Sequence, residues 1–239
     1  MEAIEKYLPI FQKHWEELKI PLQSDRACVI VEPRKHKHLE LVIKNVLYFV
    51  PSTWSLYIFH SKTNEQFVKD LLGAEKLSQV HLICICRDNL SIRDYSTLLV
   101  SELFWNWIEA EHVLIFQTDS YLRKRGIEEF LKYDCVGSPW ATCFLDRTHH
   151  AGNGGVCLRK KCKILEAITR HTYQSPMNED MFFQFALERT GAKLAHVEEA
   201  KKFGVETIYY EDPIACHKHW DYITDPQQRE QLAKLHIDE

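Results

Sequence analysis

Apolar positions recur at two spacings in the first half of the chain. Short β-branched or aromatic runs predict buried strands, and segments with apolar residues every three or four positions predict helices. The predicted strands cover 27–31, 55–59, 80–85 and 112–116. The predicted helices cover 2–18, 39–47, 64–72 and 95–109. Strands that alternate with helices in this way indicate a mostly parallel sheet flanked by helices.

The second half of the chain is less regular. DCVGSPW (134–140) predicts a strand that runs into a turn, and GNGGVCLR (152–159) predicts a glycine loop that enters a strand. Helical spacing returns at 160–171 and 179–190. The whole pattern predicts one α/β domain over 1–239, with a mixed sheet in its C-terminal half.

Composition narrows the class of protein. Apolar residues make up 45% of the chain and charged residues 27%, which is ordinary for a globular protein. The net charge of −4 argues against a nucleic-acid binder. The N-terminus has no signal-peptide pattern, and no window of about 20 residues is uncharged, so we expect no membrane insertion. We therefore expect a soluble, cytoplasmic chain whose 8 cysteines are reduced thiols.

Ligands of parallel sheets bind beyond the carboxyl ends of the strands. The segments that follow the four predicted strands are Glu32-Pro33-Arg34, His60-Ser61, Arg87-Asp88 and Gln117-Thr118-Asp119-Ser120. A carboxylate at such an edge, here Asp119, suits Mg²⁺ or Mn²⁺, which prefer hard oxygen ligands and bind substrate phosphates. The alternative is that Asp119 caps a following helix, because Asp is a favoured N-cap residue.

Three further motifs carry candidate chemistry. Gly152-Asn153-Gly154-Gly155 permits close backbone approach to a ligand, or forms a tight turn before a strand. Asn178-Glu179-Asp180 begins a predicted helix, so its acids either cap the helix or supply a general base. His217-Lys218 offers a metal ligand and a point charge for phosphate, or forms a solvated turn. Neither a GxSxG nor a P-loop motif occurs, which counts against an α/β-hydrolase and a P-loop nucleotidase.

In this order the four features resemble the pattern of GT-A glycosyltransferases. That pattern has an acidic DxD motif after a core strand, a glycine loop, an xED motif at a helix start and a C-terminal histidine. The phrases FQTDSYL, YDCVGSPW, GNGGVCLRK, NEDMFF and CHKHW also resemble a domain-of-unknown-function family of glycosyltransferase-like proteins. Members of that family occur in large DNA viruses, fungi and bacteria. One departure is that Gln117 replaces the first Asp of the DxD motif, so that only Asp119 supplies a carboxylate there.

The resemblance implies transfer of a sugar from a nucleotide-diphosphate donor, a UDP-sugar, to a glycan, glycoprotein or other hydroxyl acceptor. It implies a nucleotide-binding half over about 1–120 and an acceptor half over about 121–239. Mn²⁺ or Mg²⁺ is expected between Asp119 and His217, with Asp180 as the general base of an inverting displacement. The other expected donor-site residues are Val31, Glu32, Arg34, Arg93, Gln117, Thr118, Ser120, Gly154, Gly155, Glu179 and Lys218.

Two residues each have two alternative roles. Glu179 either orients the sugar or caps its helix, and Trp140 either stacks on a sugar ring or packs in the core. Two other functions also fit the pattern. One is a metal-dependent phosphoesterase, and the other is a nucleotide-sugar-binding module that has lost activity.

Overall fold

The computed structural model describes residues 1–141 and 148–237. Within these ranges the strands are β1 (Arg26–Val31), β2 (Ser55–His60), β3 (His81–Cys84), β4 (His112–Phe116), β5 (Ser120–Leu122), β6 (Cys135–Gly137), β7 (His149–His150), β8 (Val156–Lys160), β9 (Ala195–His196), β10 (Gly204–Val205) and β11 (Ala215–His217). The helices are α1 (Glu2–Glu5), α2 (Leu8–Glu17), α3 (Leu39–Phe49), α4 (Glu65–Leu77), α5 (Ile92–Leu99), α6 (Glu102–Asn106), α7 (Lys161–Arg170), α8 (Glu179–Arg189), α9 (Val197–Phe203), α10 (His219–Tyr222) and α11 (Pro226–Leu232), with a 3₁₀ helix at Ile127–Phe130.

The central sheet has the order β3-β2-β1-β4-β8-β6. Strands β1 to β4 pair in parallel, whereas β8 runs antiparallel to both β4 and β6. The predicted α/β class, the mostly parallel sheet and the mixed pairing in the second half are therefore confirmed.

Each face of the central sheet is covered by its own apolar cluster. Along β1, Cys28 and Ile30 join one cluster, which includes side chains of α2, α3 and α4. Ala27 and Val29 point to the other face and join side chains of α5 to α8. This alternation is the period of two that a strand imposes on its side chains, and it explains why β1 is apolar on both faces from residue 27 to residue 31.

Two predicted helices are divided in the structure. The segment 2–18 forms α1 and α2, because Pro9 lies in the first turn of α2 and its ring cannot follow a helical turn without clashing with the carbonyl four residues back. The segment 95–109 is replaced by α5 and α6, because Ser91 and Ser101 each cap a new helix. None of the helices within the described ranges is long and apolar enough to cross a bilayer.

Candidate functional site

A small second sheet brings the two candidate metal ligands together. Its order is β10-β11-β5, with β11 antiparallel to β5 so that His217 pairs with Ser120. Asp119 immediately precedes β5, and its backbone carbonyl accepts a hydrogen bond from Lys218 N at 3.2 Å. Asp119 is therefore followed by a strand, and the alternative that it caps a helix is wrong. The register of the β5–β11 pair therefore places Asp119 beside His217.

Asp119 and His217 form a buried, incompletely satisfied pair. His217 Nε2 lies 3.2 Å from Asp119 Oδ1, yet both atoms are buried and neither makes a hydrogen bond to any residue of the two described ranges. The other imidazole nitrogen, Nδ1, lies 3.0 Å from Glu206 Oε1. A histidine that donates Nδ1–H to a carboxylate presents the Nε2 lone pair outward, which is the usual arrangement of metal-binding histidines.

The electrostatics of this pair favour an ionised carboxylate. Burial raises the pKa of Asp119, but His217 and Lys218 outweigh that effect and hold the pKa at about 2. Lys218 Nζ lies 3.2 Å from the second oxygen, Oδ2. Burial lowers the pKa of His217, and its two carboxylate neighbours raise it above the ordinary value.

The pair fits a divalent cation. Adjacent ligands of an octahedral ion with metal–oxygen distances of about 2.1 Å stand roughly 3 Å apart, close to the observed separation. Within the described ranges, no group of three or more His, Cys, Asp or Glu side chains is placed to hold a metal ion. The chain itself would supply Asp119 and His217, and ligand phosphates and water would complete the shell, as is common for Mg²⁺.

The glycine loop lies at the same edge of the sheet because β8 runs antiparallel to β4. Gly155, just before β8, accepts a hydrogen bond through its carbonyl from Gln117 N, just after β4, at 2.9 Å. A Cβ at Gly155 would overlap three atoms of the His217 ring at nearly equal distances, so Gly155 packs over the face of the imidazole. A Cβ at Gly154 would overlap the Glu179 carboxylate. These glycines therefore permit close approach to two functional side chains.

The acidic pair at the start of α8 lies on the other side of this loop. Gly154 N donates to Asp180 Oδ2 at 3.4 Å, and Met181 N donates to Oδ1 at 2.8 Å. Burial, and next the neighbouring Glu179, raise the pKa of Asp180 from 3.8 to about 6. A carboxylate with such a pKa can accept a proton near neutral pH.

One cavity of about 1100 Å³ joins these groups. Of the residues expected from the sequence, it is lined by Val31, Glu32, Arg34, Gln117, Thr118, Asp119, Gly154, Gly155, Glu179, Asp180, His217 and Lys218. At its β1 end, Arg34 N and Nε donate to Glu32 Oε1 at 2.9 and 2.8 Å, so this arginine is held in place by the buried carboxylate.

Three expected residues do not line the cavity. Arg93 is exposed on α5 and does not line the cavity. The expectation that it lies near the donor phosphates is therefore corrected. Ser120 is buried, and its hydroxyl donates to Gln117 O at 2.8 Å, which shapes the turn instead of facing a ligand. Trp140 is half-buried and 6.1 Å from the ring of His150, outside the cavity wall.

Sequence reasoning missed several residues of the cavity and its wall. Glu206 directly follows β10, which has only two residues and gives no periodic signal. Arg159 lies inside the apolar strand β8, and a charge in such a run was the available signal. His36 and His38 also line the cavity after β1, and none of the motifs considered above contains them.

The fold is similar to that of a solved glycosyltransferase. The crystal structure of the apo-form glycosyltransferase GlyE of Streptococcus pneumoniae TIGR4 matches with a TM-score of 0.51 at 11% identity, over 89% of this chain and 60% of GlyE. The chain therefore spans less than two thirds of the length of GlyE. TarS 1-349 of S. aureus matches at 10% identity with a TM-score of 0.46, over 68% of this chain and 55% of TarS.

The chain belongs to the family described as "Protein of unknown function (DUF5672)", whose model matches residues 80–217. That range contains Asp119, the glycine loop, Asp180 and His217. No curated protein matches the sequence.

Proposed function

We propose that this chain is a glycosyltransferase that moves a hexosyl or pentosyl group from a UDP-sugar to a hydroxyl of a glycan, glycoprotein or other acceptor. The observation that carries the proposal is that one cavity is lined by two carboxylates whose pKa values are shifted in opposite directions. Asp119 is held ionised beside His217 and Lys218, and Asp180 has a pKa raised to about 6. The first suits a cation and a diphosphate, and the second suits proton transfer.

In this proposal residues 1–239 form one GT-A-like domain, with the donor bound mainly by about 1–120 and the acceptor by about 121–239. The segment Val31 to Arg34 borders the nucleoside. Lys218 lies beside the diphosphate as a point charge. Asp119 and His217 would hold Mn²⁺ or Mg²⁺, and the bound ion would supply positive charge next to the leaving diphosphate.

Asp180 performs the proton transfer in the proposed reaction. Its carboxylate accepts the proton of the acceptor hydroxyl while the hydroxyl oxygen forms a bond to the anomeric carbon. The bond from that carbon to the diphosphate oxygen breaks on the opposite side, which inverts the configuration. The amide N–H of Gly154 fixes the Asp180 carboxylate, because it donates to Oδ2.

A thermal-shift screen of nucleotide sugars, with and without Mn²⁺, tests this function. A ligand that binds only the folded state at 100 times its Kd stabilises it by about 2.7 kcal/mol, which is roughly 5–10 °C in Tm for a chain of this size. We expect a UDP-sugar with Mn²⁺ to give such a shift, and Asp119→Asn to abolish its Mn²⁺-dependent part. No shift with any nucleotide sugar would contradict the proposal.

Product analysis then separates the two other candidate functions. A transferase releases UDP in amounts that rise with acceptor and yields a glycosylated product. A phosphoesterase would release phosphate or nucleotide irrespective of acceptor. A binding module would give the thermal shift and no product with any acceptor of a broad panel.

A further inference from the structure

The wall behind Asp180 contains a buried arginine that the proposed chemistry does not use. Arg159 lies on β8 and is 2% exposed. Its guanidinium is always charged, and it lies 4.7 Å over the ring of Phe183. Nη2 is 3.5 Å from Glu179 Oε1, whereas Nε and Nη1 make no hydrogen bond within the part of the chain that the structure describes. A charge buried in this way is costly unless an opposite charge compensates it.

Glu179 supplies that opposite charge. Within residues 1–141 and 148–237 it is the only carboxylate found in an ion pair with Arg159. Its second oxygen, Oε2, accepts a hydrogen bond from Ser96 Oγ at 3.3 Å, and its backbone N donates to the same hydroxyl at 3.2 Å. Although Glu179 borders the cavity, both of its carboxylate oxygens are engaged inside the wall.

Besides burial, both members of the Arg159–Glu179 pair act on the charge of Asp180. Glu179 is the adjacent residue on α8, and its charge opposes ionisation of Asp180. From β8, Arg159 favours ionisation of Asp180, and the buried thiol of Cys157 also faces this carboxyl. The Tyr95 hydroxyl of α5 faces Glu179 and Arg159.

We propose that Arg159 is a positioning residue that fixes the Glu179 carboxylate against Ser96 and, through its own charge, sets the electrostatic surroundings in which the Asp180 carboxylate exchanges a proton. The inference rests on the proposed role of Asp180 as the general base. Without Arg159, two neighbouring carboxyl groups would share a buried site with no cation beside them, and like charges in such a site oppose each other's ionisation.

The test is a carbon-13 NMR titration of the Asp180 carboxyl in protein labelled at aspartate Cγ, with the resonance assigned by its loss in Asp180→Asn. We expect Arg159→Met to raise the pH of half-ionisation by about one unit or more, the lower range for loss of an opposite charge nearby. Glu179→Gln should lower it. The double variant Arg159→Met/Glu179→Gln should return close to the wild-type value.

A matched control is Arg123→Met, which removes another fully buried arginine. Arg123 is held mostly by backbone carbonyls, among them those of Gln231 and Pro213. We expect this variant to lower Tm and to leave the Asp180 titration unchanged. If Arg159→Met does the same, Arg159 is merely structural and the inference is wrong.

If Arg159→Met does not fold, the comparison uses Glu179→Gln and the double variant, because both lack the Glu179 carboxylate that Arg159→Met leaves without its cation. The inference requires Asp180 to titrate at lower pH in Glu179→Gln than in the double variant, and equal titrations overturn it. Because NMR needs no substrate, the outcome stands even if the chain lacks transferase activity. Where activity is present, the pH at half-maximal kcat should follow the NMR titration, with the donor KM unchanged.

Discussion

Asp119 and Asp180 line one cavity, but the charges of their neighbouring side chains have opposite signs. Asp119 faces an imidazole and a lysine, which hold its pKa at about 2 in spite of burial. Partial burial, and next the adjacent carboxylate of Glu179, raise the pKa of Asp180 to about 6. Burial acts in the same direction on both residues, and the neighbouring charges decide the result.

The comparison shows how one residue type is assigned to two tasks. A carboxylate that stays charged at every working pH can anchor a cation, whereas a carboxylate near its pKa can take up and release a proton. Consecutive glycines connect the two centres, because Gly155 packs on His217 and Gly154 packs on Glu179. We therefore expect substitutions at the two centres to have separable effects.

The largest expected effect is on the proton-accepting side. Asp180→Asn should lower kcat at least about 100-fold, the lower range for a lost acid–base group, and leave donor binding intact because the residues around Asp119 are unchanged. Turnover and a UDP-sugar titration with Mn²⁺ measure the two quantities. Asp70→Asn, an exposed aspartate of α4, is the matched control and should change neither. Near-normal turnover in Asp180→Asn would remove the proposed base.

The next effect concerns stability against pH. In the folded chain the pKa of Asp180 lies above its ordinary value of 3.8, so the folded state binds the proton more tightly than the unfolded chain does. Raising the pH from about 4 to 7 therefore removes stability at this side chain. Asp180→Asn lacks this loss, and its stability relative to wild type should increase over that interval by on the order of 2 kcal/mol. Urea unfolding at several pH values measures it, and a constant difference would contradict the prediction.

Substitution of the two adjacent glycines should have a smaller effect, and each substitution should affect only one of the two centres. In Gly155→Ala the new methyl group displaces the His217 ring, and we expect Mn²⁺-dependent donor affinity to fall about tenfold, or about 1.4 kcal/mol. In Gly154→Ala the methyl group displaces the Glu179 carboxylate, which should lower kcat by a similar factor and leave the Mn²⁺ response largely intact. Each variant is the control for the other. Indistinguishable behaviour in the two assays would mean that the two centres act as one.

The fold was largely predictable because its strands are apolar and its helices are periodic. The run 112–116 is the observed β4, and 27–31 differs from β1 only at its first residue. Helix breaks were missed although their signals were present, as at Pro9 and at the capping serines Ser91 and Ser101. Strands of two residues, such as β10, offer too few positions for a pattern.

The candidate site was predictable where a residue follows a strand or begins a helix, as Asp119 and Asp180 do. It was not predictable where three-dimensional pairing decides the contact. Glu206 reaches His217 only because β10 pairs with β11. Arg159 on β8 contacts Glu179 at the start of α8, and these two elements are separated in the sequence by α7. Arg93 was expected to bind phosphate because it is positively charged. In the folded chain its side chain is exposed on α5, which the sequence did not reveal.

The carboxylate of Glu206 ties the histidine to the glycine loop. Its Oε1 atom lies 3.0 Å from His217 Nδ1 and accepts a hydrogen bond from Asn153 Nδ2 at 3.1 Å. A ligand that withdraws electron density from the imidazole should strengthen the first of these bonds and alter the second, which shares the same oxygen. We therefore expect occupancy at His217 and the conformation of residues 152–155 to be thermodynamically linked, so that by reciprocity a molecule that fixes the loop changes the affinity at the histidine by the same factor.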